Sequence, residues 1–330
     1  MRAVVHDAYG PPEVLRLEER AVPEPGPREV RIRVRAVEAT KSDCELRSYR
    51  LSVVWYWLPM RLATGVLRPR RTFLGLYFSG VVDACGRDVT RFTPGDAVFG
   101  STGFAASACA DYLCLPERAA LAPKPPELTF AEAAALPLGG TNALHFLKLG
   151  APRPGERLLV VGAGASIGSL GVQIGRALGA EVDAVDAGHK RAFLEGLGVR
   201  RFFDYRRERF LDAGERWDLI LDMVAQRDYG GCVRALNPGG RYLLAVPRFP
   251  DLARAPLTSR FTDRRVRVAF ARESRRTFAE VGAFMVEHDL RPTLDALLPL
   301  EDVVRAHRRV ESEERCGMVV LDVSDAAARS

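Results

Sequence analysis

The chain has 330 residues, a length that typically forms two domains around a sizeable core. Its hydrophobic content of 47% and charged content of 27% are those of an ordinary globular protein, which excludes a disordered chain. The net charge of +6 comes from basic residues spread along the whole chain, so no nucleic-acid partner is expected. The most hydrophobic tract, residues 51–60, is shorter than the roughly 20 residues of a membrane span, so no membrane partner is expected.

The six cysteines are too sparse for a disulfide scaffold and form no C-x-x-C pair. They indicate reduced thiols. The first residues lead directly into a strand pattern, without the features of a signal peptide. A cytoplasmic location is therefore expected.

Residues 1–122 are rich in short strand patterns separated by proline, glycine and aspartate turns. The predicted strands are residues 3–6, 14–18, 30–37, 80–84, 97–100 and 110–115. This spacing favours an irregular barrel over repeated βαβ units.

From residue 123 the pattern changes to alternating helices and strands. Helices are predicted at residues 130–136, 141–149, 166–178, 188–196 and 229–236, and strands at 158–161, 181–185, 201–203, 218–222 and 241–246. This alternation predicts an α/β domain with a parallel sheet over residues 123–270. Residues 271–330 contain a helix at 277–288 and segments at 299–310 and 318–323, which are expected to return to the first domain.

Residues 157–187 have the layout of a mononucleotide-binding βαβ unit. A buried strand leads into a turn of small residues, a helix follows, and a second strand stops at Asp186. A diphosphate can approach a helix N-terminus only where side chains are small, and an acid at the end of the second strand accepts hydrogen bonds from a ribose. The residues predicted to hold the diphosphate are Gly162, Ala163, Gly164, Ala165, Ser166, Ile167 and Gly168.

No window in this turn reads G-x-G-x-x-G. The nearest match in register is Ala163-x-Ala165-x-x-Gly168, with Ala165 where a glycine usually allows close approach. A tight strand-to-helix turn without a cofactor is the alternative interpretation.

Several motifs distributed over nearly the whole chain have a known counterpart. They are Tyr9-Gly10-Pro11-Pro12-Glu13-Val14-Leu15, residues 89–100 (VTRFTPGDAVFG), residues 133–140 (AAALPLGG), Leu197-Gly198, Asp204-Tyr205 and Gly317-Met318-Val319-Val320. The chain resembles the medium-chain dehydrogenase/reductase superfamily, in its zinc-independent quinone oxidoreductase-like and NAD(P)-dependent alcohol dehydrogenase-like branch. The resemblance implies a GroES-like β-barrel catalytic domain, built from both ends of the chain, and a Rossmann domain with a doubly wound parallel sheet. It also implies a homodimer formed through an edge strand near residues 241–246.

Zinc-dependent members of the superfamily carry a cysteine where this chain has Thr40. Their Gly-His-Glu motif corresponds to Gly75-Leu76-Tyr77. A hydroxyl and a leucine thus replace a thiolate and an imidazole, and the resemblance implies no metal.

Without a metal, fixed hydrogen-bond donors must stabilise the charge on a substrate oxygen. Thr40 stands where many relatives have an asparagine and is a candidate donor. Asp43 is expected to order the same loop, although a helix cap explains it equally well. Tyr49 and Tyr56 belong to the variable segment expected to line the substrate pocket, and each either donates a proton or only packs. The aromatic, arginine-rich segment suits a planar carbonyl, enone or quinone substrate.

The resemblance implies further cofactor contacts, which are Thr141, His189, Lys190, Tyr205 and Val246. Lys190 corresponds to a lysine that contacts the 2′-phosphate of NADP(H) in quinone oxidoreductases, and Tyr205 lies beside the same ribose. Asp186 repels a 2′-phosphate and favours the two free hydroxyls of NAD(H). The cofactor is thus expected to be NAD(H) or NADP(H), with NAD(H) narrowly preferred.

Two functions remain open at this point. The first is a zinc-independent NAD(P)H-dependent oxidoreductase that reduces a carbonyl, enone or quinone. The second is a family member without redox activity, which catalyses a non-redox step on a natural product or only binds a ligand. The second interpretation depends on the departures at Ala165, Asp186 and Thr40, and at residues 105–109.

Overall fold

The computed structural model describes residues 1–50, 61–62, 64–70, 72–103, 107–224 and 228–324. The chain forms two compact units. The first, the catalytic unit, comprises Met1–Pro137 and Glu273–Ser330, and the second, the cofactor unit, comprises Leu138–Arg272. The first boundary lies 15 residues later than the change of pattern at 122/123, because the helix at residues 130–134 packs on the sheet of the catalytic unit.

The amino-terminal part of the catalytic unit contains seven strands and two helices in the described residues. The strands are β1 (Arg2–Val5), β2 (Arg16–Glu19), β3 (Glu29–Ala39), β4 (Tyr77–Cys85), β5 (Ala97–Ser101), β6 (Tyr112–Pro116) and β7 (Leu121–Pro123). The helices are α1 (Lys41–Ser48) and α2 (Phe130–Ala134). Along β3 the apolar residues face inward and the arginines outward, the period of two that a half-buried strand requires.

The cofactor unit contains the alternating elements. They are α3 (Thr141–Gly150), β8 (Arg157–Val161), α4 (Ser166–Ala177), β9 (Glu181–Asp186), α5 (Arg191–Gly196), β10 (Arg201–Asp204), β11 (Trp217–Asp222), α6 (Tyr229–Arg234), β12 (Leu236–Leu244), α7 (Phe249–Phe261) and β13 (Arg265–Val268). In the described residues the strands form a six-stranded parallel sheet in the order β10-β9-β8-β11-β12-β13. Buried residues of β8, β11 and β12 contribute to the core of this unit.

The carboxyl-terminal part returns to the catalytic unit. It contains α8 (Arg275–Glu287), β14 (Leu294–Pro299), α9 (Val303–Glu311) and β15 (Met318–Asp322). β15 pairs antiparallel with β3, and β14 pairs with β15, so both ends of the chain share one sheet and one hydrophobic core. This arrangement is the GroES-like domain plus Rossmann-type domain that the resemblance implied.

Two features differ from the predictions. Residues 241–246 were expected near an edge strand, but β12 lies between β11 and β13, so β13 is the edge of the described sheet. The helix α7 was not predicted; Pro250 falls in its first turn, where no amide hydrogen is needed, and Pro256 lies inside it. Among the described residues, no helix combines the length and the apolar character needed to cross a membrane.

Candidate functional site

Three acids lie at the carboxyl ends of neighbouring strands in the cofactor unit. Asp186 of β9 is in register with Asp204 of β10, and Asp222 of β11 is in register with Val161, the last residue of β8. All three acids are buried. In open parallel sheets, ligands bind at this carboxyl edge, so the edge is the first candidate for a binding site.

The turn after β8 has the tight geometry of a nucleotide-binding loop. Gly162 adopts a φ of +80°, which side chains rarely tolerate. A Cβ atom on Gly168 would lie 2.1 Å from the carbonyl oxygen of Gly162, so only glycine lets α4 start this close to the strand. Gly168 therefore has the helix-packing role of the last glycine in the fingerprint.

The N-terminus of α4 suits an anion. Ala165 is the N-cap residue and contributes no side-chain hydrogen bond, and the first amide hydrogens of any helix have no partner within it. Ala163 is fully buried, so its methyl group points into the core. The small side chains and the helix dipole together fit a diphosphate.

Asp186 contacts this turn directly. Its Oδ2 accepts a hydrogen bond of 2.7 Å from the Gly164 amide, and its Oδ1 accepts one of 2.8 Å from Ala187. Oδ1 also lies 3.0 Å from Nζ of Lys190, and both side chains of this ion pair are more than nine-tenths buried. The predicted ribose acceptor and the predicted phosphate contact are thus bound to each other.

The other predicted residues of this region lie around the pair. The amide of Tyr205 donates to the carbonyl oxygen of Asp186 over 3.2 Å, and the Tyr205 side chain is half exposed. His189 is exposed. The guanidinium of Arg206, which the sequence analysis did not single out, lies 5.7 Å from the centre of the Tyr205 ring.

Thr141 is the first residue of α3, and its hydroxyl oxygen is buried without a hydrogen-bond partner in the described structure. A bound group would satisfy it. The cofactor contact expected of Thr141 stays a prediction. Val246 lies two residues beyond the end of β12, at the carboxyl edge of the sheet.

The sequence analysis missed Asp222 and Val224. The Asp222 carboxylate accepts hydrogen bonds from the Val224 amide (3.0 Å) and from the Tyr242 hydroxyl (2.7 Å). Burial raises the pKa of Asp222 to about 7. The Val224 side chain packs against Gly162, because a Cβ there would lie 2.6 Å from Cγ2 of Val224. An acid that ends a buried strand of a parallel sheet was the available signal.

In the catalytic unit, Thr40 and Asp43 form a capping box at the start of α1. The Asp43 amide donates to the Thr40 hydroxyl, and that hydroxyl donates to Asp43 Oδ2 over 2.6 Å. Both residues are about 1% exposed. The expectation that Thr40 presents a free donor therefore needs correction, because its single hydroxyl proton points at Asp43.

The carboxylate of Asp43 also binds the segment at the start of β4. The Gly75 amide donates to its Oδ1 over 3.3 Å, and the Leu76 amide also hydrogen-bonds to the carboxylate. Burial raises the pKa of Asp43 to about 6, and the hydrogen bonds from Thr40, Gly75 and Leu76 limit that rise. Asp43 thus joins the predicted site loop to the position where zinc-dependent relatives carry their histidine.

Tyr77 is a further polar residue beside this carboxylate, and the sequence analysis assigned it no role. It is 7% exposed, and its hydroxyl donates to Glu273 over 2.6 Å. Burial raises the pKa of Tyr77, with the charge of Glu273 as the next cause. Tyr77 is thus hydrogen-bonded to an acid that lies 196 positions later in the chain.

The two predicted pocket tyrosines have different outcomes. Tyr49 is the C-cap residue of α1 and is 8% exposed. The centre of its ring lies 5.1 Å from the centre of the Tyr9 ring, and the guanidinium carbon of Arg61 lies 4.1 Å from the centre of the Tyr49 ring. Its side chain also hydrogen-bonds to Thr64. This environment is a packing cluster. Tyr56 lies outside the described residues.

No group of three or more histidine, cysteine or acidic side chains able to hold a metal occurs among the described residues. At the predicted ligand positions the structure has the capped Thr40 hydroxyl and the Leu76 side chain. Neither binds zinc.

Comparison with known proteins places this geometry in a family. A model of the alcohol dehydrogenase GroES-like domain matches residues 26–131, and a model of zinc-binding dehydrogenase matches residues 197–321. The chain therefore belongs to the medium-chain dehydrogenase/reductase superfamily, in its quinone oxidoreductase-like branch.

Individual relatives cover the whole chain. It is 29% identical to the quinone oxidoreductase of Lama guanicoe, with 97% of each chain covered. The structure of the quinone oxidoreductase from Coxiella burnetii matches with a TM-score of 0.85 and 26% identity, covering 98% of this chain and 99% of that one. The structure of an NAD-dependent alcohol dehydrogenase matches with a TM-score of 0.78 and 30% identity, covering 98% and 100%. Three further curated relatives are matched over only part of their own length, namely 8%, 61% and 6% of those proteins.

Proposed function

We propose that this protein is a zinc-independent NAD(P)H-dependent oxidoreductase that transfers hydride to a carbonyl, enone or quinone. The observation that carries the proposal is the turn from Gly162 to Gly168, tied to Asp186 at the end of the next strand. The quinone oxidoreductase from Coxiella burnetii shares the fold over nearly its full length, and that of Lama guanicoe is similar in sequence over 97% of each chain.

The chain's own residues would hold the dinucleotide at two places. The α4 N-terminus would bind the diphosphate through backbone amides, and Asp186 would accept hydrogen bonds from the adenosine ribose. Thr141, with its unsatisfied hydroxyl, would supply a further donor. When bound, the nicotinamide supplies the hydride.

NAD(H) is proposed as the preferred cofactor. Asp186 is held at the end of β9 by two backbone amides, and a carboxylate at this point would favour the free hydroxyls of a ribose over a 2′-phosphate. One solved relative is an NAD-dependent enzyme by name. Steady-state rates with NADH and NADPH test this preference, and a clear preference for NADPH would contradict it.

Thr40 and Asp43 are proposed to stabilise the substrate oxygen together. While Asp43 is ionised, the Thr40 proton is committed to it. Once Asp43 is protonated, it can donate to the Thr40 oxygen, which frees the Thr40 proton for the substrate. Because the pKa of Asp43 is about 6, this donation should increase as the pH falls through 6.

Tyr49 and Tyr56 remain candidates for the proton donor. Of the two, Tyr49 is held in the packing cluster with Tyr9 and Arg61, which favours a structural role. Zinc independence is supported by the residues Thr40 and Leu76, which replace the thiolate and the imidazole of zinc-dependent members.

A homodimer and a cytoplasmic location complete the proposal. β13 is the edge strand of the described sheet, so its open edge can pair with a second copy. Sedimentation velocity tests this state, and a monomer at all concentrations would refute it. All six cysteines are free thiols, which agrees with a reducing compartment.

The test of the function has two stages. Calorimetric titration with NADH and NADPH asks whether the chain binds a dinucleotide at all, and the absence of binding would refute the proposal. Nicotinamide absorbance is then followed with a panel of enones and quinones. Binding without oxidation of either cofactor would favour the non-redox alternative.

A further inference from the structure

The basic loop, which comprises residues 64–70 of the catalytic unit, exposes apolar and basic side chains together. Leu67 is 88% exposed, the largest exposed fraction among the large apolar side chains of the described residues. Val66 and the preceding Leu62 are also more than half exposed. Arg68 and Arg70 are exposed beside them. Single exposed apolar residues are ordinary on a protein surface, but a contiguous group marks an interaction site.

The base of the basic loop is held by hydrogen bonds. The Arg70 amide donates to the carbonyl oxygen of Thr64 over 2.8 Å, and the Tyr9 hydroxyl donates to that of Gly65 over 2.9 Å. Gly65 has a φ of +125°, and a Cβ atom there would lie 2.0 Å from the carbonyl oxygen of Arg68. Only glycine permits this backbone. The exposed tip is therefore carried on a defined turn.

The charge in this part of the sequence has one sign. The basic residues are spread along the whole chain, but the acidic residues are not. From Leu46 to Val82, over 37 residues, the sequence contains no acidic residue. The same stretch contains six arginines, Arg47, Arg50, Arg61, Arg68, Arg70 and Arg71. Since the whole chain has 48 basic and 42 acidic residues, the rest of it holds 42 of each, and the excess positive charge belongs to this stretch.

The charges of Arg68 and Arg70 are not neutralised within the protein. In the part of the chain that the structure describes, neither guanidinium forms an ion pair or a hydrogen bond. By contrast, the exposed Arg305 lies 3.6 Å from Asp302. The two guanidiniums of the basic loop can therefore bind an anion outside the chain.

The combination of side chains selects the kind of partner. A nucleic acid or a free phosphate would use the arginines but would leave Val66 and Leu67 in water. The surface of a bilayer with anionic headgroups satisfies both, because apolar side chains enter the boundary with the acyl chains while basic ones contact the phosphates. Each basic residue near such a surface contributes about fivefold in affinity.

We propose that the basic loop binds the surface of membranes that contain anionic phospholipids, with Val66 and Leu67 in the interface and Arg68 and Arg70 on lipid phosphates. The sequence analysis expected no membrane partner because residues 51–60 are too short to span a bilayer, but binding at a surface requires no span. The inference goes beyond the proposed function, because it concerns where the protein is held and not its reaction.

Cosedimentation with vesicles tests the proposal. The full-length protein is mixed, without cofactor or substrate, with vesicles of phosphatidylcholine and phosphatidylglycerol in equal parts, or of phosphatidylcholine alone. The wild-type protein should bind the anionic vesicles roughly 10-fold or more tightly than the neutral ones. This binding should weaken between about 0.1 M and about 1 M salt, because the attraction of the arginines to the phosphates is screened.

Two variants test the two kinds of side chain. The double variant Arg68→Gln/Arg70→Gln should bind the anionic vesicles roughly 30-fold more weakly, at about fivefold for each arginine. Leu67→Asp should weaken the binding on the order of 10-fold, because it removes an apolar side chain from the interface and adds a negative charge. Urea unfolding checks that each variant is folded.

Each variant has a matched control. Arg87→Gln/Arg305→Gln lowers the net charge equally but removes exposed arginines from other places in the chain. Leu297→Asp makes the same change as Leu67→Asp at a half-exposed leucine of β14. Both controls should bind the anionic vesicles as tightly as the wild-type protein does.

Three outcomes would overturn the inference. One is that the wild-type protein binds neither kind of vesicle, and another is that the Arg87→Gln/Arg305→Gln control loses as much affinity as the loop variant, so that only net charge matters. The third is binding of soluble poly-L-glutamate through Arg68 and Arg70 without binding of vesicles, which would make an acidic protein the partner. None of these results bears on dinucleotide binding, so the proposed function is tested separately.

Discussion

Replacing Asp222 by asparagine should make the stability of the cofactor unit less sensitive to pH. Asp222 is 1% exposed, and burial raises its pKa from the ordinary value of 3.8 to about 7, although Tyr242 and Val224 donate hydrogen bonds to it. Asparagine has nearly the same shape and carries no titrating proton.

The sign follows from linkage. A carboxyl whose pKa is raised on folding binds its proton more tightly in the folded state. Its contribution to the free energy of unfolding is therefore fully present below about pH 4 and is lost as the pH rises through about 7. The difference of about three pH units, at 1.36 kcal/mol per unit, gives ~4 kcal/mol over this range.

The assay is urea unfolding between pH 4 and pH 8. It is followed by the fluorescence of Trp217, which is fully buried in the cofactor unit, and by circular dichroism. The free energy of unfolding of Asp222→Asn, relative to wild type, should increase by ~4 kcal/mol from pH 4 to pH 7.5. Asp212→Asn, which removes an exposed carboxylate of the same unit, is the control and should follow the wild-type profile.

A second variant tests the cause. Tyr242→Phe removes a hydroxyl that donates to the ionised form of Asp222, so the pKa of Asp222 should rise and the stability loss should move to higher pH. A difference between Asp222→Asn and wild type that stays constant over the whole pH range would refute the reasoning, because it would mean that Asp222 has the same pKa in the folded and unfolded chains.

Three further predictions concern the turn, the cap and a buried histidine. Gly168→Ala should abolish NADH binding or prevent folding, because the added Cβ would lie 2.1 Å from the Gly162 carbonyl oxygen. Ala165→Gly is the control. Undiminished NADH binding by Gly168→Ala in calorimetry would contradict the turn geometry. Thr40→Ala should lower the free energy of unfolding by about 1 kcal/mol because the α1 cap is lost, and it should weaken the increase of the reduction rate as the pH falls through 6. Thr40→Ser should retain both the stability and this pH dependence. Equal pH profiles of the reduction rate for the two variants would assign Thr40 a structural role only. Burial lowers the pKa of His307 to about 3. The free energy of unfolding of the wild-type protein should therefore fall by up to ~1.4 kcal/mol per pH unit below pH 6.5, relative to that of His307→Gln. Urea unfolding at several pH values measures this difference, and a difference that does not depend on pH would argue against a buried neutral imidazole.

Local patterns predicted the features that depend on neighbours in sequence. The strand, turn and helix around Gly162 follow from a buried apolar run, small residues and a 3.6-residue period. The capping box of Thr40 and Asp43 spans four residues, and the spacing of Asp186 from the turn is set by one helix. Each of these depends on backbone geometry that repeats regularly along the chain, so the sequence alone determined the two-domain class and the position of the glycine-rich turn.

The tertiary structure alone decided which side chains meet. Asp186 accepts a hydrogen bond from Gly164 across 22 residues, and Tyr77 donates one to Glu273 across 196 residues. The pairing of β15 with β3 likewise joins segments that lie far apart in the sequence. Such contacts are determined by the packing of whole elements, to which no local period points, so the hydrogen bonds of Asp186 with Gly164 and of Tyr77 with Glu273 could be assigned only from the fold.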